Sequence, residues 1–517
     1  MTTRRSFLTG AGCLGASRLL AVPAGSCLGG KPNLRFGVLS DLHIRCTTRD
    51  NLYDGSPRAF EHALRYFRDR QVDAVMIAGD MSDLGLGDEL VLVGRTWDKV
   101  FPDNRAPDGH TVEKLFITGN HESGTFINPR NLGTIRRLYG NDDAVVRRQL
   151  LRSGYARWWE EAFHEPYARF YHKNVKGYDF LCANWDDGSL LTPETPLEGH
   201  DWRFNGESFG VELKAWLDSN GRRLDPRRPF FYQQHRCLWK TTYADWGWNH
   251  DRGLATEVLS AWPNAVSFAG DTHFPLSDDR SIWQGTFTAL GTASLRYPGQ
   301  PYDSRDFASF ENTCARGRLR AKYDPFKTMK EYVPSDTRQG MLVSVYDDRM
   351  VFERRDFAAD CPVGDDWVVP LPVAGSSKPY GFKVRAEKAK PPHFAPDAKL
   401  SLKRVTAKTR GGKEVPAVEI AIPAIVQTSA CRCAEYAVTA IGRNGATAEF
   451  SVLAEGCDCP PTHARVGKST VFSVAVDRLP PETIRFEVCP LDFWWNRGPA
   501  LNVAFSAQDA EKETGVN

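Results

Sequence analysis

The chain has 517 residues, enough for two or more domains, since one domain usually takes about 100–200 residues. Its 66 basic and 64 acidic residues leave a formal net charge of +2, which argues against a protein that binds the nucleic-acid backbone through a basic surface. Hydrophobic residues make up 41% of the chain and include 14 tryptophans, so a large core can form.

Residues 1–26 are predicted to be an export signal. Arg4 and Arg5 precede a run of small and apolar residues that reaches Ala24, a pattern that resembles a twin-arginine signal. We therefore expect a periplasmic or extracellular protein, with lipid anchoring at Cys27 as an option and a buried N-terminal helix as the alternative. No later apolar run approaches the roughly 18 residues that a membrane-spanning helix needs, so no transmembrane span is expected.

The cysteine content also fits an oxidising compartment. Of twelve cysteines, Cys13 would leave with the signal. If Cys27 is lipidated or trimmed, ten remain, an even number that suits disulfide pairing.

Five short apolar runs, at 36–40, 75–79, 115–119, 230–234 and 266–270, are each followed by residues that can bind a metal ion. Runs of this length are typical of buried strands, and sites in open α/β sheets form where the strands end. One such pair could be an ordinary solvated loop, but five in succession favour a shared site. The residues in question are Asp41 and His43, Asp80 and Asp83, Asn120 and His121, His235, and Asp271 and His273.

Between these runs the chain reads as βαβ units. Residues 57–70 carry an apolar stripe at helical spacing, which predicts the crossover helix that parallel strands require. Residues 123–176 form a long insertion rich in aromatic residues, including Trp158, Trp159 and Phe163. These aromatics could line a substrate cleft, but local packing is the preferred interpretation.

Two further segments could contact a substrate. A strand ends at Asn184, where the side chain would lie near the rim of a cleft. The loop that follows His235 carries Trp246, Trp248 and His250, which could either stack on a substrate or pack locally. The residues 341–357 read as two strands joined at Asp347-Asp348.

The C-terminal part has a different pattern. Residues 372–394 are rich in Pro, Gly, Ser and Lys and are predicted to be a linker. Residues 395–507 show about six short runs of period-two alternation, which predicts a β-sandwich that resembles immunoglobulin or fibronectin type III modules in pattern. Residues 508–517 are a polar tail. Cys431, Cys433, Cys457 and Cys459 could form disulfides, the preferred reading, or a four-cysteine zinc site.

The order Asp-x-His, Gly-Asp-x-x-Asp, Gly-Asn-His-Glu, His, Gly-x-x-His over about residues 34–350 resembles the calcineurin-like metallophosphoesterase superfamily. The resemblance implies a four-layer αββα sandwich for residues 27–371. One position departs from the family pattern, because Asp271 stands where the family usually has the first histidine of Gly-His-x-His.

By this resemblance the site would hold two divalent metal ions, Mn, Fe or Zn. Asp41, His43 and His273 would bind the first ion, Asp80 would bridge, and Asn120, His235 and Asp271 would bind the second. His121 would be catalytic, and Asp83 would orient His121 or His43.

The expected function is hydrolysis of a small-molecule phosphomonoester or phosphodiester by a hydroxide that the two ions activate. The alternative is a non-catalytic exported surface or binding protein that keeps the fold. Every predicted ligand position carries a residue able to bind a metal, which favours the enzyme.

Asp271 has its own consequence. A carboxylate in place of a neutral imidazole adds one negative charge, so we expect a less acidified water, a higher pH optimum and a preference for Mn²⁺ or Fe²⁺ over Zn²⁺. The alternative is that Asp271 points away from the site and hydrogen-bonds a loop.

Overall fold

The computed structural model describes residues 30–46, 57–123, 129–185, 191–197, 207–242, 251–296, 298, 337–408, 413–426, 432–457, 459–460, 463–464 and 466–505. The predicted export signal with Arg4, Arg5 and Cys27 lies outside these residues, as does the polar tail.

The N-terminal region alternates strands and helices, as the βαβ pattern predicts. Its strands are β1 (Leu34–Leu39), β2 (Ala74–Ala78), β3 (Glu113–Ile117), β4 (Phe170–Val175), β5 (Tyr178–Ala183), β6 (Phe230–Gln234), β7 (Ala265–Ala269), β8 (Ile282–Gln284), β9 (Thr288–Gly291), β10 (Gln339–Val345), β11 (Arg349–Asp356), β12 (Cys361–Pro362) and β13 (Trp367–Pro370). Its helices are α1 (Arg58–Asp69), α2 (Gly87–Val100), α3 (Pro129–Tyr139), α4 (Asp143–Gln149), α5 (Tyr155–Phe163), α6 (Glu207–Asn220) and α7 (Leu254–Ser260).

These strands form two sheets. The first has the order β12-β11-β10-β1-β2-β3, with β13 also paired to β11, and the second has the order β4-β5-β6-β7-β9-β8. Strands β1, β2 and β3 run parallel, and so do β5, β6, β7 and β9. Each sheet therefore presents a row of parallel strand ends at one edge.

The two faces of a strand bury different side chains, since successive residues point in opposite directions. In β2, Val75 and Ile77 pack against helices α1, α2 and α5, whereas Ala74 and Met76 face the second sheet. Between the sheets, the Phe36 ring lies 5.0 Å from that of Phe231, edge to face. Helices α6 and α7 cover the outer side of the second sheet. The result is a four-layer αββα sandwich.

The predicted helix at 57–70 is confirmed as α1, with Phe60, Leu64 and Phe67 buried. The two strands predicted within 341–357 are confirmed as the antiparallel pair β10 and β11.

The aromatic insertion packs locally. Trp158, Trp159 and Phe163, all on α5, are buried in the core beside α2 and the first sheet. These three rings are therefore part of the core, as the preferred interpretation expects, although Trp159 and Phe163 also line a cavity of about 320 Å³.

The C-terminal region is built from strands, and all six predicted strands are present. It contains β14 (His393–Phe394), β15 (Ser401–Lys408), β16 (Glu414–Ile422), β17 (Ile425–Val426), β18 (Glu435–Gly442), β19 (Thr447–Leu453), β20 (Thr470–Ala475), β21 (Thr483–Leu491) and β22 (Leu501–Ala504). Two antiparallel sheets, β15-β16-β20 and β19-β18-β21-β22, bury a shared core that includes Val418 and Ile420 from one sheet and Val438 and Phe486 from the other. Because Cys431 lies outside the described residues, the choice between disulfides and a zinc site stays a prediction.

The segment predicted to be a linker is packed between the two regions. It contains helix α8 (Phe382–Lys388), whose Arg385 Nη1 donates to the Ile282 carbonyl at 3.0 Å. The Arg385 guanidinium also lies 4.0 Å from the centre of the Trp494 ring, in the loop after β21. Asn496 Nδ2 donates to the Ala386 carbonyl at 2.9 Å. A Pro-rich composition alone could not reveal these contacts.

Within the described part of the chain, no helix is long and apolar enough to cross a bilayer.

Replacing Arg385 by Met should uncouple the C-terminal strands from the sandwich. The change removes the hydrogen bonds to the Asp279 and Ile282 carbonyls and the contact with Trp494, and we expect a loss of about 3 kcal/mol, since hydrogen bonds from charged groups contribute about 1.5–3 kcal/mol each. Urea unfolding would measure it. Arg443→Met, which removes an exposed arginine paired with Glu482, should change stability by less than about 0.5 kcal/mol. Equal stability of the two variants would contradict the coupling.

Candidate metal centre

The predicted ligands lie together where the parallel strands of both sheets end. Asp41 and His43 follow β1, Asp80 follows β2, Asn120 follows β3, His235 follows β6, and Asp271 and His273 follow β7. Most are buried, while the side chains of His121 and His273 remain 17% and 15% exposed. The cluster is therefore open to solvent on the side of these two histidines.

The backbone at this edge is unusual. Asp41, His43, Asp80, Asp271 and His273 have φ values of 51°, 44°, 53°, 63° and 55°. Left-handed conformations are uncommon for residues other than glycine and gather at functional sites. The turns are fixed by hydrogen bonds from Asp41 N to the Gly79 carbonyl and from His43 N to the Asp80 carbonyl, each 3.0 Å long.

A first group of ligand atoms surrounds the facing nitrogens of two histidines. His43 Nε2 lies 3.2 Å from His273 Nε2, and His273 Nε2 lies 2.8 Å from Asp41 Oδ1. His43 Nε2 is also 3.8 Å from Asp41 Oδ1 and from Asp80 Oδ2. One ligand atom from each of these four residues lies within 4.8 Å of all the others. Two imidazoles and two carboxylates at these distances fit a divalent cation such as Mn, Fe or Zn.

A second group surrounds His235. Its Nδ1 is 2.6 Å from the Ala78 carbonyl, to which it donates, so Nε2 faces the cluster. There Nε2 lies 2.9 Å from Asn120 Oδ1, 3.3 Å from Asp80 Oδ1 and 3.9 Å from Asp271 Oδ1. Asp80 therefore directs one oxygen to each group, which is the arrangement that a bridging ligand requires.

The carboxylates give the cluster a negative potential. Burial alone would lower the pKa of His235, but the charges of Asp80, Asp41 and Asp271 hold it well above its usual value. Burial and the neighbouring His121 lower the pKa of His43 to about 4, so this ring is neutral, as a metal ligand must be.

Asp83 contacts both the buried His43 and the partly exposed His121. His43 Nδ1 lies 3.2 Å from Asp83 Oδ1, and His121 Nδ1 lies 2.6 Å from the Asp83 carbonyl oxygen. Burial would raise the pKa of Asp83, but the hydrogen bond with His43 and the charge of Arg296 keep it well below its usual range. The structure thus places Asp83 where it can orient both rings.

Sequence reasoning missed two residues here. Arg296 donates from Nη1 to Asp83 Oδ1 at 2.8 Å and to the His43 carbonyl at 2.9 Å, and no motif marks it. Glu122 belongs to the Gly-Asn-His-Glu motif but had no assigned role. It accepts backbone hydrogen bonds from Asp80, Ser82 and Gly119 at 3.1, 2.6 and 2.5 Å. Burial and the nearby Asp80 raise its pKa to about 7. Glu122 therefore ties the turns after β2 and β3 together.

Asp271 points toward the cluster, so the structure does not show the alternative in which it turns away. Its second oxygen, Oδ2, lies 4.0 Å from Arg236 Nε. Burial raises the pKa of Asp271 to about 6, while His235 and Arg236 act to lower it. Arg236 offsets the extra negative charge on which the expected higher pH optimum rested. A sequence pattern could not place this compensating charge.

The predicted substrate residues have different positions. Asn184 is buried, its Oδ1 accepts from Thr118 N at 2.7 Å, and its Nδ2 donates to the Ala168 carbonyl at 2.7 Å. Its amide therefore joins neighbouring chain segments, and a role of Asn184 in substrate binding stays a prediction. Trp246, Trp248 and His250 lie outside the described residues.

Comparison with known families supports the domain assignment. Residues 34–275 match the family described as calcineurin-like phosphoesterase, which confirms a domain of this kind. A search of curated proteins finds no sequence match.

Solved structures give weak likenesses. A dimetal phosphatase from Danio rerio is 14% identical with a TM-score of 0.37, covering 66% of this chain and 99% of its own. A purple acid phosphatase from yellow lupin is 12% identical, with a TM-score of 0.34. The match covers 65% of this chain and 54% of the phosphatase. A predicted phosphoesterase from Streptococcus pneumoniae is 11% identical, with a TM-score of 0.24. The match covers 65% of this chain and 97% of the phosphoesterase. At these scores the likenesses carry no conclusion.

Replacing Gly119 by Ala should dismantle the centre. A Cβ at this position would overlap Asp80 Oδ1 and lie 2.8 Å from the His235 ring, so the bridging carboxylate would have to move. We expect metal content, measured by mass spectrometry, to fall while the circular dichroism stays close to that of the wild type. Gly133→Ala is the matched control. The nearest atom to its new Cβ is 3.9 Å away, and alanine favours helix α3 by about 1 kcal/mol. Full metal content in Gly119→Ala would refute the close packing.

Proposed function

Because residues 34–275 form a calcineurin-like phosphoesterase domain, we propose that the protein is a metal-dependent hydrolase of phosphoric esters. The main support is the position of the Asp80 carboxylate. Its Oδ1 lies 3.3 Å from His235 Nε2, and its Oδ2 lies 3.8 Å from His43 Nε2. One carboxylate is thus shared by two groups of nitrogen and oxygen ligands. A dinuclear metal centre requires a carboxylate shared in this way, whereas a surface that only binds a partner does not.

Each ligand group would hold one divalent ion. Asp41, His43, His273 and one oxygen of Asp80 would hold the first, and Asn120, His235, Asp271 and the other oxygen of Asp80 would hold the second. When bound, two such ions polarise a phosphate ester and provide a nucleophilic hydroxide near neutral pH.

His121 is the residue we assign to proton transfer. Its Nδ1 is fixed by the Asp83 carbonyl, so Nε2 lies on the side of the cluster, 3.9 Å from Asp80 Oδ2. The ring is 17% exposed, which supports a position on the open side of the cluster, where a leaving group would depart. A protonated His121 can donate the Nε2 proton to the leaving oxygen.

The alternative, an exported binding protein without activity, has less support. Loss of catalysis in such a protein would remove the need for the full set of ligands. Here the buried carboxylates, the neutral His43 and the fixed orientation of His235 are all retained.

We also propose export through the twin-arginine route, on the pattern at Arg4 and Arg5. This route carries folded proteins, so the metal ions could be bound before export.

Asp80→Asn should lower turnover by about 100-fold or more, since it replaces the shared carboxylate by a neutral amide and weakens the electrostatic stabilisation of the reacting phosphate. The assay would use metal-reconstituted protein with p-nitrophenyl phosphate, its bis-ester and nucleotides. Asp179→Asn is the control. It changes a carboxylate near the N-terminal end of β5, whereas the predicted ligands follow the C-terminal ends of strands, so turnover should be unchanged. Near wild-type hydrolysis by Asp80→Asn would exclude the dinuclear mechanism.

Replacing Arg4 and Arg5 together by Lys should keep the precursor in the cytoplasm, because the twin-arginine pair is the recognised feature of the signal. Cell fractionation and immunoblotting would measure the distribution. Arg18→Lys, within the apolar stretch, is the control and should still be exported. Export of the double variant at the normal level would reject the route.

A further inference from the structure

The metal centre is approached by Arg45, Arg296 and Arg236. Arg45 donates from Nε to Asp83 Oδ2. Arg296 directs Nη1 to Asp83 and to the His43 backbone, so it supports the ligands from behind. Arg236 directly follows His235, and its guanidinium lies 4.7 Å from the centre of the Trp185 ring. The Arg236 side chain is 16% exposed, whereas that of Asp271 beside it is 3% exposed.

Asp271 connects Arg236 to the cluster. Its Oδ1 lies 3.9 Å from His235 Nε2, and its Oδ2 lies 4.0 Å from Arg236 Nε. The carboxylate of Asp271 therefore lies between the Arg236 guanidinium and the atoms that would hold the second ion. Trp185 on one face and Asp271 at the Nε edge restrict the guanidinium, and such restriction reduces the entropy lost when it binds an anion.

We propose that Arg236 binds a non-bridging oxygen of the substrate phosphate and gives the enzyme a preference for phosphomonoesters. The inference rests on the proposed function and deepens it. An arginine is the side chain best suited to phosphate oxygens, because its planar fork donates two parallel hydrogen bonds.

The preference follows from the number of available oxygens. A phosphomonoester has three non-bridging oxygens and a charge of about −1.5 to −2 near pH 7. A phosphodiester has two such oxygens and a single charge. When two oxygens face the ligand groups, only the monoester offers a third to Arg236, and the diester presents an esterified oxygen with its substituent there.

A purely electrostatic role makes a different prediction. If Arg236 only neutralises Asp271, its loss would disturb metal binding and would affect both classes of ester equally. If it binds phosphate, its loss would reduce the use of monoesters selectively and leave the metal in place.

The test compares Arg236→Met with Arg227→Met, whose parent arginine is a surface residue with an 81% exposed side chain. We expect kcat/KM of metal-loaded Arg236→Met to fall roughly 10- to 100-fold for p-nitrophenyl phosphate and less than about threefold for bis(p-nitrophenyl) phosphate, as for the loss of one charged hydrogen bond. Arg227→Met should match the wild type for both substrates. An equal loss for both esters would overturn the proposal.

Binding gives a readout that does not depend on turnover. Calorimetric titration should show inorganic phosphate bound about tenfold more weakly by Arg236→Met than by the wild type, with dimethyl phosphate unaffected. Arg236→Lys keeps a charge opposite Asp271 but loses the fork, so it should retain the metal and still lose monoester preference. Unchanged phosphate affinity, or loss of metal from both variants, would overturn the proposal. If the wild type hydrolyses neither ester, the proposed function fails, and the phosphate titration still decides the role of Arg236.

Discussion

The shared carboxylate of Asp80 is the constraint on which the rest of the centre depends. Its two oxygens face different ligand groups, which is possible only because the turns after β2 and β3 come very close together. Gly119 allows this approach, since any side chain there would overlap Asp80. Glu122 then holds both turns by accepting three backbone hydrogen bonds. The short distance between these two turns therefore depends on the absence of a side chain at Gly119 and on the buried carboxyl group of Glu122.

The electrostatics of the centre also form a connected set. Three buried aspartates create a potential that raises the pKa of His235 and favours cations. Asp83 Oδ1 lies 3.2 Å from His43 Nδ1 and accepts from Arg296, so it can orient the His43 ring. Arg236 Nε lies 4.0 Å from Asp271 Oδ2, so its positive charge offsets the negative charge of Asp271. Cations bound between these groups would replace the protons that the histidines otherwise take up.

The C-terminal strands are joined to the sandwich near the segment that follows His273. Ser277 Oγ donates to the Cys457 carbonyl at 3.4 Å, and the Arg280 guanidinium lies 5.5 Å from the centre of the Phe493 ring. Helix α8 adds the contacts of Arg385 with Ile282 and Trp494. The segment predicted as a linker therefore contacts both the sandwich and the C-terminal strands.

Elements with local signals could be predicted from the amino-acid pattern. Strand ends at Asp41, Asp80 and Asn120, helix α1 and the six period-two strands follow from side-chain periodicity and short motifs, which depend on neighbouring residues. The contacts between distant parts of the chain, such as Asp83 with Arg296 and Arg385 with Trp494, could be identified only in the folded molecule. Even Arg236 and Asp271, which follow the adjacent parallel strands β6 and β7, come within 4.0 Å only because of how these strands are aligned. Packing of the sheets selects such pairs, and no short pattern in the chain encodes them.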